Sequence, residues 1–191
     1  MDLQPAAQPT LTLETERLIL RAPHEDDAAR IAEIANDMHV IRGTLRMPLP
    51  YTPNDALEFI ALAREGRKQG ETLNFSIERR AGRLLIGGIG LVFQPAHERA
   101  EMGYWLGVDY WNQGYATEAG RTLLEFGFDV LGLYRIYATH FADNAASGRV
   151  MQKLCMTYEG TLRGHLVRFD QHHDSVYYGI LRSEWEAARS G

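Results

Sequence analysis

Residues 101–118, EMGYWLGVDYWNQGYATE, constrain the possible fold more than any other stretch of the chain. A strand pattern over Glu101 to Val108 gives way to a short turn, and a long helix opens at Gln113-Gly114-Tyr115-Ala116-Thr117. That helix carries Ala116, Ala119, Leu123, Phe126 and Val130 on one face, with Gly132 as its stop. The first turn of a helix has N–H groups with no intrahelical partner, and the helix dipole adds positive potential there. A strand feeding directly into such a turn therefore presents an anion site. Gly114 lets an oxygen approach the backbone, and Ala116 keeps the next position small. The implied ligand carries phosphate.

The usual phosphate loops do not account for it. GxxxxGK[ST] does not occur, which argues against a nucleoside-triphosphate loop. Gly87-Gly88-Ile89-Gly90 lies within a strand pattern and lacks the GxGxxG spacing, so it reads as a bulge or a close strand contact.

The rest of the chain reads as one α/β domain over residues 13–191, preceded by a loose tail over 1–12. Strands are expected at 17–21, 73–80, 84–93, 101–108, 134–141, 157–162 and 176–182. Helices are expected after His24, at 55–68, 114–131, 144–154 and 183–189, and the proline-bearing stretch 38–54 reads as a loop. Hairpin-linked strands come first and strand–helix–strand units later. That order predicts a mostly antiparallel sheet with a parallel section in its second half.

With 25 acidic against 20 basic residues the chain carries a net charge of -5, which argues against nucleic acid or an anionic membrane as partner. The single cysteine, Cys155, allows neither an intrachain disulfide nor a cysteine metal cluster. His172-His173 are adjacent in a polar stretch, without metal-ligand spacing, so no metal is expected. No secretory h-region opens the sequence, and the longest apolar run, Leu84 to Phe93, is short and broken by glycines. A soluble, cytoplasmic protein is the expectation.

Taken together, WNQGYATEA opening a long helix, the strand Tyr134 to Phe141 and DNAAS opening the next helix resemble the GNAT acyltransferases. LETERLILRAPHEDD near the start and TLRGHLV…DSVYYGILRSEW near the end are similar to the RimJ/RimL-type branch. The resemblance spans nearly all of the chain from Leu13. It implies an α/β GNAT fold: a twisted, mixed, mostly antiparallel central sheet of about seven strands. The coenzyme splits that sheet between the fourth and fifth strands, and helices cover both faces. It further implies N-acetyl transfer from acetyl-CoA to a primary amine, of a protein N-terminus or a small molecule, directly within a ternary complex. A homodimer is compatible with it. The alternative is a non-catalytic coenzyme A-binding regulatory domain.

The resemblance also implies roles for particular residues. The family's Q/R-x-x-G-x-G/A signature falls with its central glycine on Gly114 and its last position on Ala116, while its first position is Trp111, a departure. Pyrophosphate is expected on the N–H groups of Gln113, Gly114, Tyr115, Ala116 and Thr117, and pantetheine along Leu106, Gly107 and Val108. Asn144 is expected at the thioester end and also as a helix cap. Glu101 is the expected base, with His165 as a weaker one. The family's tyrosine falls on Met151, so Ser147, one turn earlier, is the expected partner of the coenzyme sulfur. Tyr51, Trp105, Tyr110 and Trp111 are candidates for an acceptor groove or for packing.

Overall fold

The computed structural model describes residues 3–8 and 10–190. Among them one sheet of eight strands forms the spine: β1 (Thr12–Glu14), β2 (Leu18–Arg21), β3 (Thr72–Arg79), β4 (Leu84–Gln94), β5 (Arg99–Leu106), β6 (Arg135–Phe141), β7 (Thr157–Arg168) and β8 (Gln171–Leu181). Their order is β1-β2-β3-β4-β5-β6-β8-β7. Every neighbouring pair is antiparallel except β5 and β6, which run parallel. The strand beyond the expected seven is β1, whose three residues are too few to show a periodic pattern.

Helices α1 (Gln4–Ala7), α2 (Ala28–Ala35), α3 (Met38–Arg42), α4 (Pro53–Gln69), α5 (Tyr115–Glu125), α6 (Ala145–Lys153) and α7 (Arg182–Ser190) cover both faces. The larger core joins the sheet to α5, to Met151 of α6 and to Trp185 of α7. The smaller one joins the other face to α2 and α4 through Ile31, Ala35, Ala56, Ile60 and Leu85.

Local signals explain most boundaries. Thr52 and Asp55 form a reciprocal capping box ahead of Pro53, and Gly70 closes α4 in the left-handed region. Part of the expected loose tail is structured: α1 lies there, Ala6 is buried in the main core, and Arg67 Nη1 donates to the Gln8 carbonyl. The expected loop 38–54 contains α3, where the Asp37 carboxylate caps His39 N–H and Val40 and Ile41 are buried. Past α5 the chain widens into a π-helical turn, Phe126–Val130, where one continuous helix was expected. Strand β7 extends six residues beyond the expected Leu162, to Arg168.

An ionic cluster pins β2, β3 and the start of α2. Arg21 grips Asp27 through two bonds of 2.7 Å and reaches Glu78 through Nε, also at 2.7 Å. Asp27 further accepts from His24 N–H and the Ser76 hydroxyl. Burial works to raise the Asp27 pKa, yet these donors hold it below the usual carboxylate range.

The feature that positions the site is the parallel pair. Strands β5 and β6 are paired only over Arg99–Glu101 and Arg135–Tyr137, and then part. Past that point β5 stays bonded to β4 as far as Leu106, and β6 stays bonded to β8 as far as Phe141. The result is a V with Glu101 at its apex.

Candidate active site

Side chains of β5 alternate across the sheet. Ala100, Met102 and Leu106 enter the main core and Tyr104 packs against it, whereas Trp105 packs on the α2–α4 cluster. Glu101, two or four residues from Gly103 and Trp105, therefore faces away from α5 and α6. The V thus has two differently furnished sides.

On the α5 side lies the phosphate-type turn. Gly114 is the N-cap of α5 with φ +81°, a left-handed conformation that glycine adopts without a steric cost. Asn112 is also left-handed. Side chains brace this turn: Trp111 Nε1 donates to the Leu106 carbonyl at 2.8 Å, and Gln113 Nε2 donates to the Asp109 carbonyl at 2.7 Å. Arg17 braces it from the opposite edge. Its Nη1 donates to the Gln113 carbonyl at 3.0 Å, its Nε bonds Glu118 at 2.6 Å, and its guanidinium lies over the Tyr115 ring. Thr15 and the Arg17 N–H also donate to Glu118. Burial works to raise the Glu118 pKa, but these bonds hold it below its ordinary range. A cavity of about 630 Å³ opens against this turn, lined by Arg17, Gly114, Thr117, Glu118, Arg121 and Lys153 among others.

The expected strand end is shorter than read from the sequence. Leu106 is the last residue of β5, the Gly107 N–H donates back to Ile86 of β4, and Val108 begins a 3-10 turn to Tyr110. A glycine at 107 and the aspartate at 109 favour a turn over extended chain, which the apolar Leu106 and Val108 concealed.

Further down the V, Asn144 caps α6. Its Oδ1 accepts from Ser147 N–H at 3.2 Å, which leaves Nδ2 as the donor of that amide. Ser147 Oγ lies 2.8 Å from the Tyr104 hydroxyl. Met151 is fully buried in the core.

On the opposite side, Glu101 accepts from Tyr137 Oη at 3.3 Å and Thr139 Oγ1 at 3.2 Å. Gln94 Nε2 in turn donates to Tyr137 Oη, so the phenol proton is directed at Glu101. Burial, then the Glu101 charge, raises the Tyr137 pKa and keeps that proton on oxygen. The Tyr137 ring stacks on Tyr177, whose hydroxyl lies 3.2 Å from His165 Nε2. Glu101 and His165 thus stand at two ends of one aromatic row.

Sequence reasoning missed Tyr104, Tyr137, Thr139, Tyr177 and the Arg17–Glu118 brace. Tyr104 had a signal, since it shares the period-two face of Met102 and Leu106; the others depend on strand pairing that no local pattern reveals. The aromatics singled out instead have anchoring duties. Tyr51 is buried, Tyr110 accepts from Arg30, and Trp111 is bonded to Leu106. Among the described residues no group of three or more His, Cys, Asp or Glu could hold a metal ion, and no helix is long and apolar enough to cross a membrane.

Comparison with known proteins bears on the same region. The family model described as an acetyltransferase (GNAT) domain matches residues 17–157. The uncharacterized N-acetyltransferase YoaA of Bacillus subtilis (strain 168) is 36% identical over 174 residues, covering 89% of this chain and 96% of that protein. The [ribosomal protein uS5]-alanine N-acetyltransferase of Escherichia coli (strain K12) is 24% identical over 186 residues, covering 95% and 96%. Mycobacterium smegmatis RimJ, solved in complex with CoA-disulfide, superposes with a TM-score of 0.81 over 99% of this chain and 98% of its own, at 22% identity.

Proposed function

This chain belongs to the GNAT acetyltransferase family, and from that premise we propose that it moves an acetyl group from acetyl-CoA directly onto a primary amine in a ternary complex. The observation that carries the reading is the two-sided V: a phosphate-type helix start, Asn144 and Ser147 on one side of the sheet, and a carboxylate at the apex on the other.

The residues present fit the coenzyme. The N–H groups from Gln113 to Thr117 suit the pyrophosphate, because the helix dipole and the left-handed Gly114 leave them open to an anion. The β5 edge after Glu101 has lost its β6 partner, so its backbone groups can bond the pantetheine amides as a neighbouring strand does. Leu106 serves that edge, with Gly107 and Val108 at its exit. Asn144 Nδ2 can donate at the thioester end while Oδ1 keeps its cap. When bound, the coenzyme supplies the thioester carbonyl carbon that the amine attacks.

Glu101 receives the amine. An α-amino group with a pKa of about 8 is mostly protonated at neutral pH. A carboxylate first attracts that cation and then, directly or through water, takes its proton. As nitrogen bonds to the carbonyl carbon and the carbon–sulfur bond breaks, the electron pair stays on sulfur, and the Ser147 hydroxyl would supply a hydrogen bond to it. The acceptor we favour is a protein N-terminal α-amine, since the name of the E. coli relative gives an alanine of ribosomal protein uS5 as its acceptor. The test is release of free coenzyme thiol from acetyl-CoA against a panel of N-terminal peptides and small amines. Turnover with a peptide α-amine is the expected result. Turnover with small amines alone would move the acceptor, and binding without thiol release with any amine would overturn the reading.

A further inference from the structure

Resting on that reading, we infer that Tyr104 is a positioning residue that turns the Ser147 hydroxyl proton toward the departing sulfur. Tyr104 projects from β5 three residues past the last pair with β6, on the α6 side of the V. Its hydroxyl lies 2.8 Å from Ser147 Oγ and 3.0 Å from the Ser147 carbonyl oxygen. A phenol has one proton, and a carbonyl can only accept. Two arrangements of hydrogens are therefore open.

In the first, the phenol proton goes to the carbonyl, and the Ser147 O–H must then point at the phenol oxygen. In the second, the phenol donates to Ser147 Oγ, and the serine proton is free for a third group. Passing from one to the other rotates two O–H bonds and moves no heavy atom. The second arrangement supplies a hydrogen bond to sulfur as negative charge collects there. Preorganised donors of this kind act most strongly where charge develops during the reaction. Burial pushes the Tyr104 pKa up to about 12, so the phenol holds its proton through the neutral range and remains a donor. No proton leaves Tyr104: the broken carbon–sulfur pair stays on sulfur, and the thiolate takes its proton from water as it departs. At position 151, one turn on from Ser147, the helix offers only the buried Met151, so the hydroxyl that orients Ser147 comes from the strand.

The test is a double-mutant cycle with Tyr104→Phe, Ser147→Ala and the pair, read as steady-state thiol release with one accepted amine. Phenylalanine keeps the ring and its packing. Tyr104→Phe is expected to lower kcat roughly 2- to 10-fold, the range of one neutral hydrogen bond, with the KM for acetyl-CoA within about twofold. In the Ser147→Ala background the same change is expected to cost nothing further, because Tyr104 acts through the serine. Losses that multiply, or a Tyr104→Phe variant at full kcat, overturn the inference while the transferase reading stands. A wild-type protein that releases no thiol with any amine removes that reading, and this inference falls with it.

Discussion

Replacing Gly114 by valine separates the cost of a backbone conformation from the loss of a ligand. At φ +81° a β-branched residue is strained, at about 1–3 kcal/mol. For a domain of this length each kcal/mol lowers Tm by roughly 2–4 °C, so the unliganded variant should melt about 2–12 °C below wild type. No hard clash adds to this, because a Cβ at 114 meets Arg17 Nη2 at 3.4 Å, an ordinary contact. Gly114 itself lines the cavity with Arg17, Thr117 and Arg121, however, so the added side chain takes room where the phosphates are expected. Coenzyme A at about 100 times its Kd stabilises wild type by about 2.7 kcal/mol, or roughly 5–11 °C. Differential scanning fluorimetry with and without coenzyme A reads both effects. The variant should melt lower and show no ligand shift. A variant that melts lower yet keeps the full shift refutes the assignment of the α5 N-terminus as the phosphate site.

Two other changes test the frame around the site. Asp27→Asn should cost about 3 kcal/mol, because it leaves Arg21 half-buried with one partner fewer. The folded-state pKa of Asp27 is depressed, so its contribution is full above about pH 4 and is lost as pH falls through the folded value; the gap between the urea midpoints of the two proteins should therefore be smaller at pH 3 than at pH 7. Asn144→Ala should cost about 1 kcal/mol of stability as a lost cap and should also weaken coenzyme affinity, which titration calorimetry reads separately.

The parts of this fold that were legible in the sequence are those in which local chemistry and burial agree. Gly114 and Gly132 punctuate the helical segment between them, and Leu73 to Arg79 reads as a strand whose Leu73, Phe75 and Ile77 enter the main core, whereas α4 begins at Pro53, two residues ahead of the expected Asp55. Strand β7 was cut short because it is exposed along most of its length and Gly160 and Gly164 interrupt its pairing, so no apolar alternation marks its second half. The helix α3 hid among prolines, with only Asp37 to announce it. At the site, the strand–glycine–helix segment could be read because it is contiguous. The surroundings of Glu101 could not, since Tyr137 and Thr139 reach it from a strand more than thirty residues away in sequence. Tyr104 was readable as core-facing but not as the neighbour of Ser147, which lies 43 residues further on.

The most direct test of the proposed transfer is the pH–rate profile of wild type and Glu101→Gln with one accepted α-amine peptide. Glutamine keeps the shape and one of the two acceptor oxygens that Tyr137 and Thr139 use, but can neither attract the ammonium as strongly nor remove its proton. At neutral pH the variant should turn over roughly 10² times more slowly, within the range for loss of a general base. The deficit should shrink as pH rises past about 8, where an α-amine arrives already neutral. Coenzyme binding should stay at its wild-type value, because Glu101 faces away from the α5 turn. Superimposed profiles would contradict the account and move the proton acceptor elsewhere, with His165 at the far end of the aromatic row the next group to replace.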